Sequence, residues 1–104
     1  SIAVTTQRRS SALPNIPTIT ESGLLGFNFS TWYGMWAPAS TPPAIVEKLS
    51  TEIRQITRLP EVREKFLALG AEPVGNTAEE FSAFNKSELA KWAQIVRQSG
   101  ARVD

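Results

Sequence analysis

Two Ser–Lys pairs are the nearest this sequence comes to a catalytic device. Ser82 and Lys86, and likewise Ser87 and Lys91, stand four residues apart in a helix-forming stretch, so each pair shares a helical face. A lysine stripped of water can lose its proton and activate a neighbouring hydroxyl. These positions lie largely on the polar side of an amphipathic pattern, where long charged side chains stay solvated. Both pairs therefore read as surface. Glu61 and Lys65, at the same spacing, read as an exposed ion pair worth about 0.3–0.5 kcal/mol. Glu79 and Glu80 read as carboxylates serving a helix N-terminus.

The missing residue types exclude more. None of the 104 residues is His or Cys, which removes the imidazole base, the thiolate nucleophile, the disulfide and any Cys/His metal site. No carboxylates stand at metal-ligand spacing. The expectation is a protein that is not an enzyme and has no catalytic residue, metal site or cofactor. Eleven Lys/Arg against ten Asp/Glu leave a formal +1, too little to draw a nucleic acid or an anionic membrane. A Gly23-Leu24-Leu25-Gly26 sequence has the spacing of an RNA-clamping loop but lacks its basic flanks. No apolar run approaches the ~18 residues of a membrane span.

What remains is an aromatic stretch, residues 27–37, interleaved with Asn28, Ser30, Thr31 and Tyr33. Hydroxyls beside bulky rings suit a small ligand, the hydroxyls fixing it and the rings excluding water. The same residues would equally fill ordinary cross-strand or turn positions, and composition leaves both readings open.

The elements that must position this stretch are well punctuated. Alternation across residues 27–37 predicts a strand, half covered at its start and covered on both faces further on. Residues 1–6 read as a strand already under way, either cut from something longer or an edge strand at a mature terminus. Residues 18–22 predict one helical turn, stopped by Gly23. Three helices follow. Thr41 as N-cap and Pro42 at the first position begin one with Ile45, Leu49, Ile53 and Ile56 inward. Pro60 begins a second, with Val62, Phe66 and Leu69 inward. Thr77 and Glu80 form a capping box for a third, which carries Phe81, Phe84, Leu89, Trp92, Ile95 and Val96 and ends at Gly100.

The order of short motifs is more specific than any one of them. Val4-Thr5-Thr6, Arg9-Ser10, Leu13-Pro14-Asn15-Ile16-Pro17-Thr18 and Glu21-Ser22-Gly23 are followed by Trp32-Tyr33-Gly34, Ala37-Pro38 and Thr41-Pro42. Leu69-Gly70-Ala71-Glu72-Pro73-Val74-Gly75 and Lys91-Trp92 complete the series. Nearly the whole chain thereby resembles the TctC-type, or Bug, receptors of tripartite tricarboxylate transporters. Ser40 and Asn76 depart slightly, standing where a glycine or other small residue is common.

The resemblance implies an α/β fold: the C-terminal part of a periplasmic binding protein type II-like lobe, with two or three strands and three main helices. Residues 1–6 would be a crossover strand between lobes and residues 7–104 would complete the first lobe. It also implies a periplasmic receptor that captures a small carboxylated or amino-acid-like solute and passes it to a membrane permease, without chemistry. Thr5, Thr6, Ser30, Trp32 and Tyr33 match family positions expected to contribute to the cleft. Backbone N–H groups and hydroxyls, rather than many arginines, would hold the carboxylates. The second possibility is an assembly module with no small ligand. With 41% hydrophobic residues, a part of such a lobe would expose apolar surface and self-associate.

Overall fold

The structure is a computed structural model that describes residues 2–102. Ser1, at the start of the expected crossover strand, and Val103 and Asp104 lie outside the described residues. Three helices form where the punctuation predicts them: α1 (Pro43–Arg58), α2 (Pro60–Ala68) and α3 (Ala78–Ser99). The start of α1 is one residue later than expected, with Pro42 as N-cap and Pro43 as the first helical residue. A residue that precedes proline is driven out of the helical region, and Pro42 precedes Pro43, so it sits extended at φ −56°, ψ 136°. Leu59 is extended before Pro60 for the same reason and separates α1 from α2. The capping box of α3 is complete: Glu80 N–H donates to the Thr77 hydroxyl at 3.1 Å, and Thr77 N–H to the Glu80 carboxylate at 2.7 Å.

The expected strands appear only as extended segments among the described residues. Val4 and Thr18 form an isolated parallel bridge, with Val4 N–H to Pro17 O and Ile19 N–H to Val4 O, both at 2.9 Å. Residues 27–37 join this layer through one backbone bond, Phe29 N–H to Thr5 O at 2.9 Å. An extended segment becomes a strand when a neighbour completes its alternating donors and acceptors. Beyond Phe29, no described backbone group does so.

A tight polar turn supports the start of that layer. Thr18 is almost fully buried. Its N–H donates to the Glu21 carboxylate at 2.8 Å, and its hydroxyl accepts from Glu21 N–H at 3.0 Å. Arg9 grips the same carboxylate through Nε and Nη2, at distances of 2.9–3.1 Å, and reaches Pro14 O with Nη1. Thr20 then donates to Phe27 O at 2.9 Å, fixing where the aromatic segment begins.

Apolar packing is far less complete. No apolar side chain is fully buried among the described residues. The radius of gyration is 16.5 Å, against about 13 Å for a compact domain of this length. α1 touches both α2 and α3, yet the inward stripes meet an open groove rather than a covering layer. Leu69, expected inward, is 84% exposed, and Phe66, Leu89 and Val96 are exposed too. Tyr33, Met35 and Trp36 are likewise exposed, so the second half of residues 27–37 is not covered on both faces. Gly34 lets this segment lie against α3, since a Cβ there would collide with the Phe81 ring. Gly75, at φ +61°, similarly brings the 71–77 link onto α1, where a Cβ would stand 2.5 Å from Thr57 Oγ1.

Candidate functional site

Residues 28–32 are pinned to α3 by a polar knot. Glu88, only 8% exposed, accepts the indole N–H of Trp32 at 3.2 Å and that of Trp92 at 3.0 Å. Lys91 pairs with its other carboxylate oxygen at 2.6 Å. The same ammonium donates to Asn28 O at 3.3 Å and lies over the rings of Phe29 and Trp92. Lys91, with help from the two indoles, holds the Glu88 carboxyl below the usual carboxylate range despite its burial. Edge-on contacts surround the knot: Trp32 with Phe84 and Phe81 at 5.1 and 5.8 Å between centroids, and Phe29 with Trp92 at 5.7 Å.

Beside the knot lies a cleft of about 250 Å³ bounded by Thr5, Phe29, Ser30, Thr31 and Trp92. Its walls are two rings and its polar groups are hydroxyls. Asn28, Phe29 and Trp32 are each tied by a hydrogen bond, but the hydroxyls of Ser30 and Thr31 have no partner among the described residues. The volume falls just short of the roughly 300 Å³ at which small-molecule pockets usually begin. A second, larger groove of about 1220 Å³ runs between residues 30–37, α1, the 69–77 link and the start of α3. Its lining is mostly apolar, with Trp36, Val46, Leu49, Ile53, Phe66 and Phe81 prominent.

The residues expected at the cleft divide between these two spaces. Thr5 and Ser30 meet at the smaller one. Thr6, Trp32 and Tyr33 line the larger groove, which Ser30 also borders. The Thr6 hydroxyl donates to Arg8 O at 2.6 Å, the Trp32 indole N–H is committed to Glu88, and Tyr33 is 90% exposed. Sequence reasoning missed Phe29 and Trp92 as cleft walls, and weighed Thr31 only among the interleaved polar residues, not among the family positions. It also missed Glu88, whose signal was present: Phe81, Phe84, Glu88, Trp92 and Ile95 follow one helical stripe, with a carboxylate in its middle.

Other polar expectations are corrected or kept by the geometry. Lys91 is no solvated surface residue, because Glu88 and Asn28 hold it. Ser87 donates to Phe84 O at 2.7 Å, so its hydroxyl is not aimed at Lys91. Glu61 and Lys65 do not pair; the ion pairs among the described residues are Arg9–Glu21 and Lys91–Glu88. Glu72 accepts from the N–H and hydroxyl of Ser11 at 2.8 and 2.7 Å, tying the N-terminal segment to the 69–77 link and lowering the Glu72 pKa. Among the described residues no three acidic groups converge on a metal-sized site, and no helix is long and apolar enough to cross a membrane.

Residues 1–101 match the model of the tripartite tricarboxylate transporter family receptor, TctC. A UPF0065 protein of Agrobacterium vitis is 38% identical over 101 residues, covering 94% of this chain and 29% of that protein. The protein BugT of Bordetella pertussis is 34% identical over 103 residues, covering 99% of this chain and 32% of BugT. Among solved structures, the R. palustris protein Rpa4515 with adipate superposes at a TM-score of 0.77 with 32% identity. That alignment covers 94% of this chain and 33% of Rpa4515. The periplasmic binding protein BugD superposes at 0.74 with 38% identity, over 94% of this chain and 33% of BugD. The fold is therefore that of periplasmic binding proteins over the matched part, and the chain spans about a third of the length of these relatives.

Proposed function

The chain belongs to the tripartite tricarboxylate transporter receptor family, and on that premise we propose that it supplies one wall of a cleft for a small carboxylated solute. The observation that carries this is the meeting of Thr5, Ser30 and Thr31 beside the edge-on rings of Phe29 and Trp92. Hydroxyls without protein partners donate to a carboxylate, while the rings offer its carbon chain an apolar wall. The cleft's modest volume suits a partial site, closed on its far side by residues beyond those that line it here. Thr6, Trp32 and Tyr33 border the neighbouring groove and would shape its approach rather than hold the carboxylate. In this reading the solute is bound and released unchanged, in keeping with a family of receptors. Receptor duty in the periplasm and delivery to a membrane permease complete the proposal, supported by the family and by BugD being a periplasmic binding protein.

Calorimetry against C4–C6 dicarboxylates, adipate included, and against amino acids tests the assignment. The expected result is heat from dicarboxylates that Ser30→Ala with Thr31→Ala removes. Silence from every dicarboxylate, in this chain and in any longer gene product containing it, overturns it.

A second reading has its own support: no apolar side chain is fully buried among the described residues, and the larger groove is open. Such a surface favours self-association of this 104-residue chain through the groove. Sedimentation is expected to show dimers or larger species, and a monomer at high concentration contradicts it.

A further inference from the structure

We infer that Glu88 and Lys91 act as a two-point clamp that positions the hydroxyls of Ser30 and Thr31 for the solute. This rests on the proposed cleft and adds residues that do not line it. The inference follows from where the fixed points fall along the segment. Lys91 holds the carbonyl of Asn28, two residues before Ser30. Glu88 holds the indole of Trp32, one residue after Thr31. Both holding groups come from one turn of α3 and are joined to each other by their ion pair. The stretch between the fixed points is thus spanned by a rigid element, and the two residues left without hydrogen bonds there are Ser30 and Thr31.

Trp92 makes the coupling tighter. Its indole N–H ends on Glu88, and its ring forms a wall of the cleft against Phe29. One carboxylate therefore fixes a ring of the wall and one end of the hydroxyl-bearing segment at once. Residues 27–37 carry no Asp, Glu, Lys or Arg, so the charge facing Glu88 comes from Lys91 on α3. A buried carboxylate with three donors is a rigid support, because each bond restrains the others and a lost partner leaves an unsatisfied polar group. A site on an extended segment otherwise has little to hold its geometry, and a loose supporting shell is how binding geometry is commonly lost.

Two measurements on the intact chain test the clamp. In the first, a pH titration followed by 15N NMR watches the three tryptophan indoles and the backbone amides of Ser30 and Thr31. The expected result is one shared midpoint, below the ordinary carboxylate value, for Trp32, Trp92, Ser30 and Thr31, with the Trp36 indole unmoved. Movement of the indoles while the Ser30 and Thr31 amides stay still would overturn the positioning role, as would separate midpoints. In the second, Glu88→Gln keeps the side-chain shape and one acceptor but loses the charge. Adipate affinity is expected to fall about tenfold, the size of one lost hydrogen bond, with the helical signal unchanged. Unchanged affinity overturns the clamp. If the unaltered chain binds no dicarboxylate, the cleft assignment fails by itself, and the shared midpoint still decides whether Glu88 orders Ser30 and Thr31. Trp32→Phe removes one indole donor without touching Glu88 and is expected to uncouple the Thr31 amide from the titration.

Discussion

The two halves of residues 27–37 meet the helices in opposite ways. Residues 28–32 are bound to α3 by directional polar contacts that close within the chain: Asn28 to Lys91, Lys91 to Glu88, Glu88 to Trp32 and Trp92. Residues 33–37 face α1 across a groove of about 1220 Å³ and leave Tyr33, Met35 and Trp36 exposed. A hydrogen bond needs only two groups at the right distance, so two short segments can complete it. Apolar stabilisation scales with area, at roughly 25 cal/mol per Å², and needs a whole layer to cover a face. The first half is consequently settled by its own residues. The second has most of its stabilisation still to gain from whatever covers it.

The largest expected effect breaks the settled half. Glu88→Ala leaves Lys91 without its partner and two indoles without an acceptor, and should cost about 3 kcal/mol in urea unfolding followed by circular dichroism. A loss below about 1 kcal/mol would mean that the aromatic packing, rather than the knot, holds residues 28–32. On the open side, Leu49→Ser removes an apolar group that lines the groove but is half exposed. In the monomer its cost should stay within about 0.5 kcal/mol, as for surface positions. If the groove is filled by another copy, the same change weakens association, and sedimentation would register it.

The smallest effect concerns a third place, the Thr18 turn. Arg9 above all, then the Thr18 N–H, lowers the Glu21 pKa to about 2. A carboxyl whose pKa is lowered on folding contributes stability above its ordinary value near 4.5, and loses it as pH falls toward 2. Arg9→Ala should raise the Glu21 midpoint toward the ordinary value in a side-chain NMR titration, with little change in the helices. An unmoved midpoint would show that the Thr18 N–H alone accounts for the shift.

How much of this was legible in the sequence follows the same division. Local, one-segment features came through: the Thr77–Glu80 box, the proline start of α2, that of α1 to within one residue, and the single turn at residues 18–22. They depend on residues only a few positions apart. The strands did not come through as strands, because pairing is a property of two segments, and Phe29 finds one partner bond where alternation alone suggested a ladder. Strict alternation also set Ser30 and Thr31 on opposite faces, whereas both border the same cleft. Trp32 was read for its ring and its place in a motif; its indole N–H instead serves Glu88, 56 residues away. Glu88 was visible only as a polar interruption of an apolar stripe. Leu69 and Leu89 fit their helical stripes but had no layer to meet, so their exposure was beyond what periodicity can tell.

On the proposal above, Thr5, Ser30 and Thr31 meet a carboxylated solute at the smaller cleft, while the apolar far wall of the larger groove does not. Mapping amide shifts of the labelled chain during titration with adipate tests it directly. Saturable shifts centred on Thr5, Ser30 and Thr31 are expected, with the Trp92 indole following and Leu49, Ile53 and Phe66 unchanged. Shifts centred on the groove, or none at saturating adipate, would contradict it.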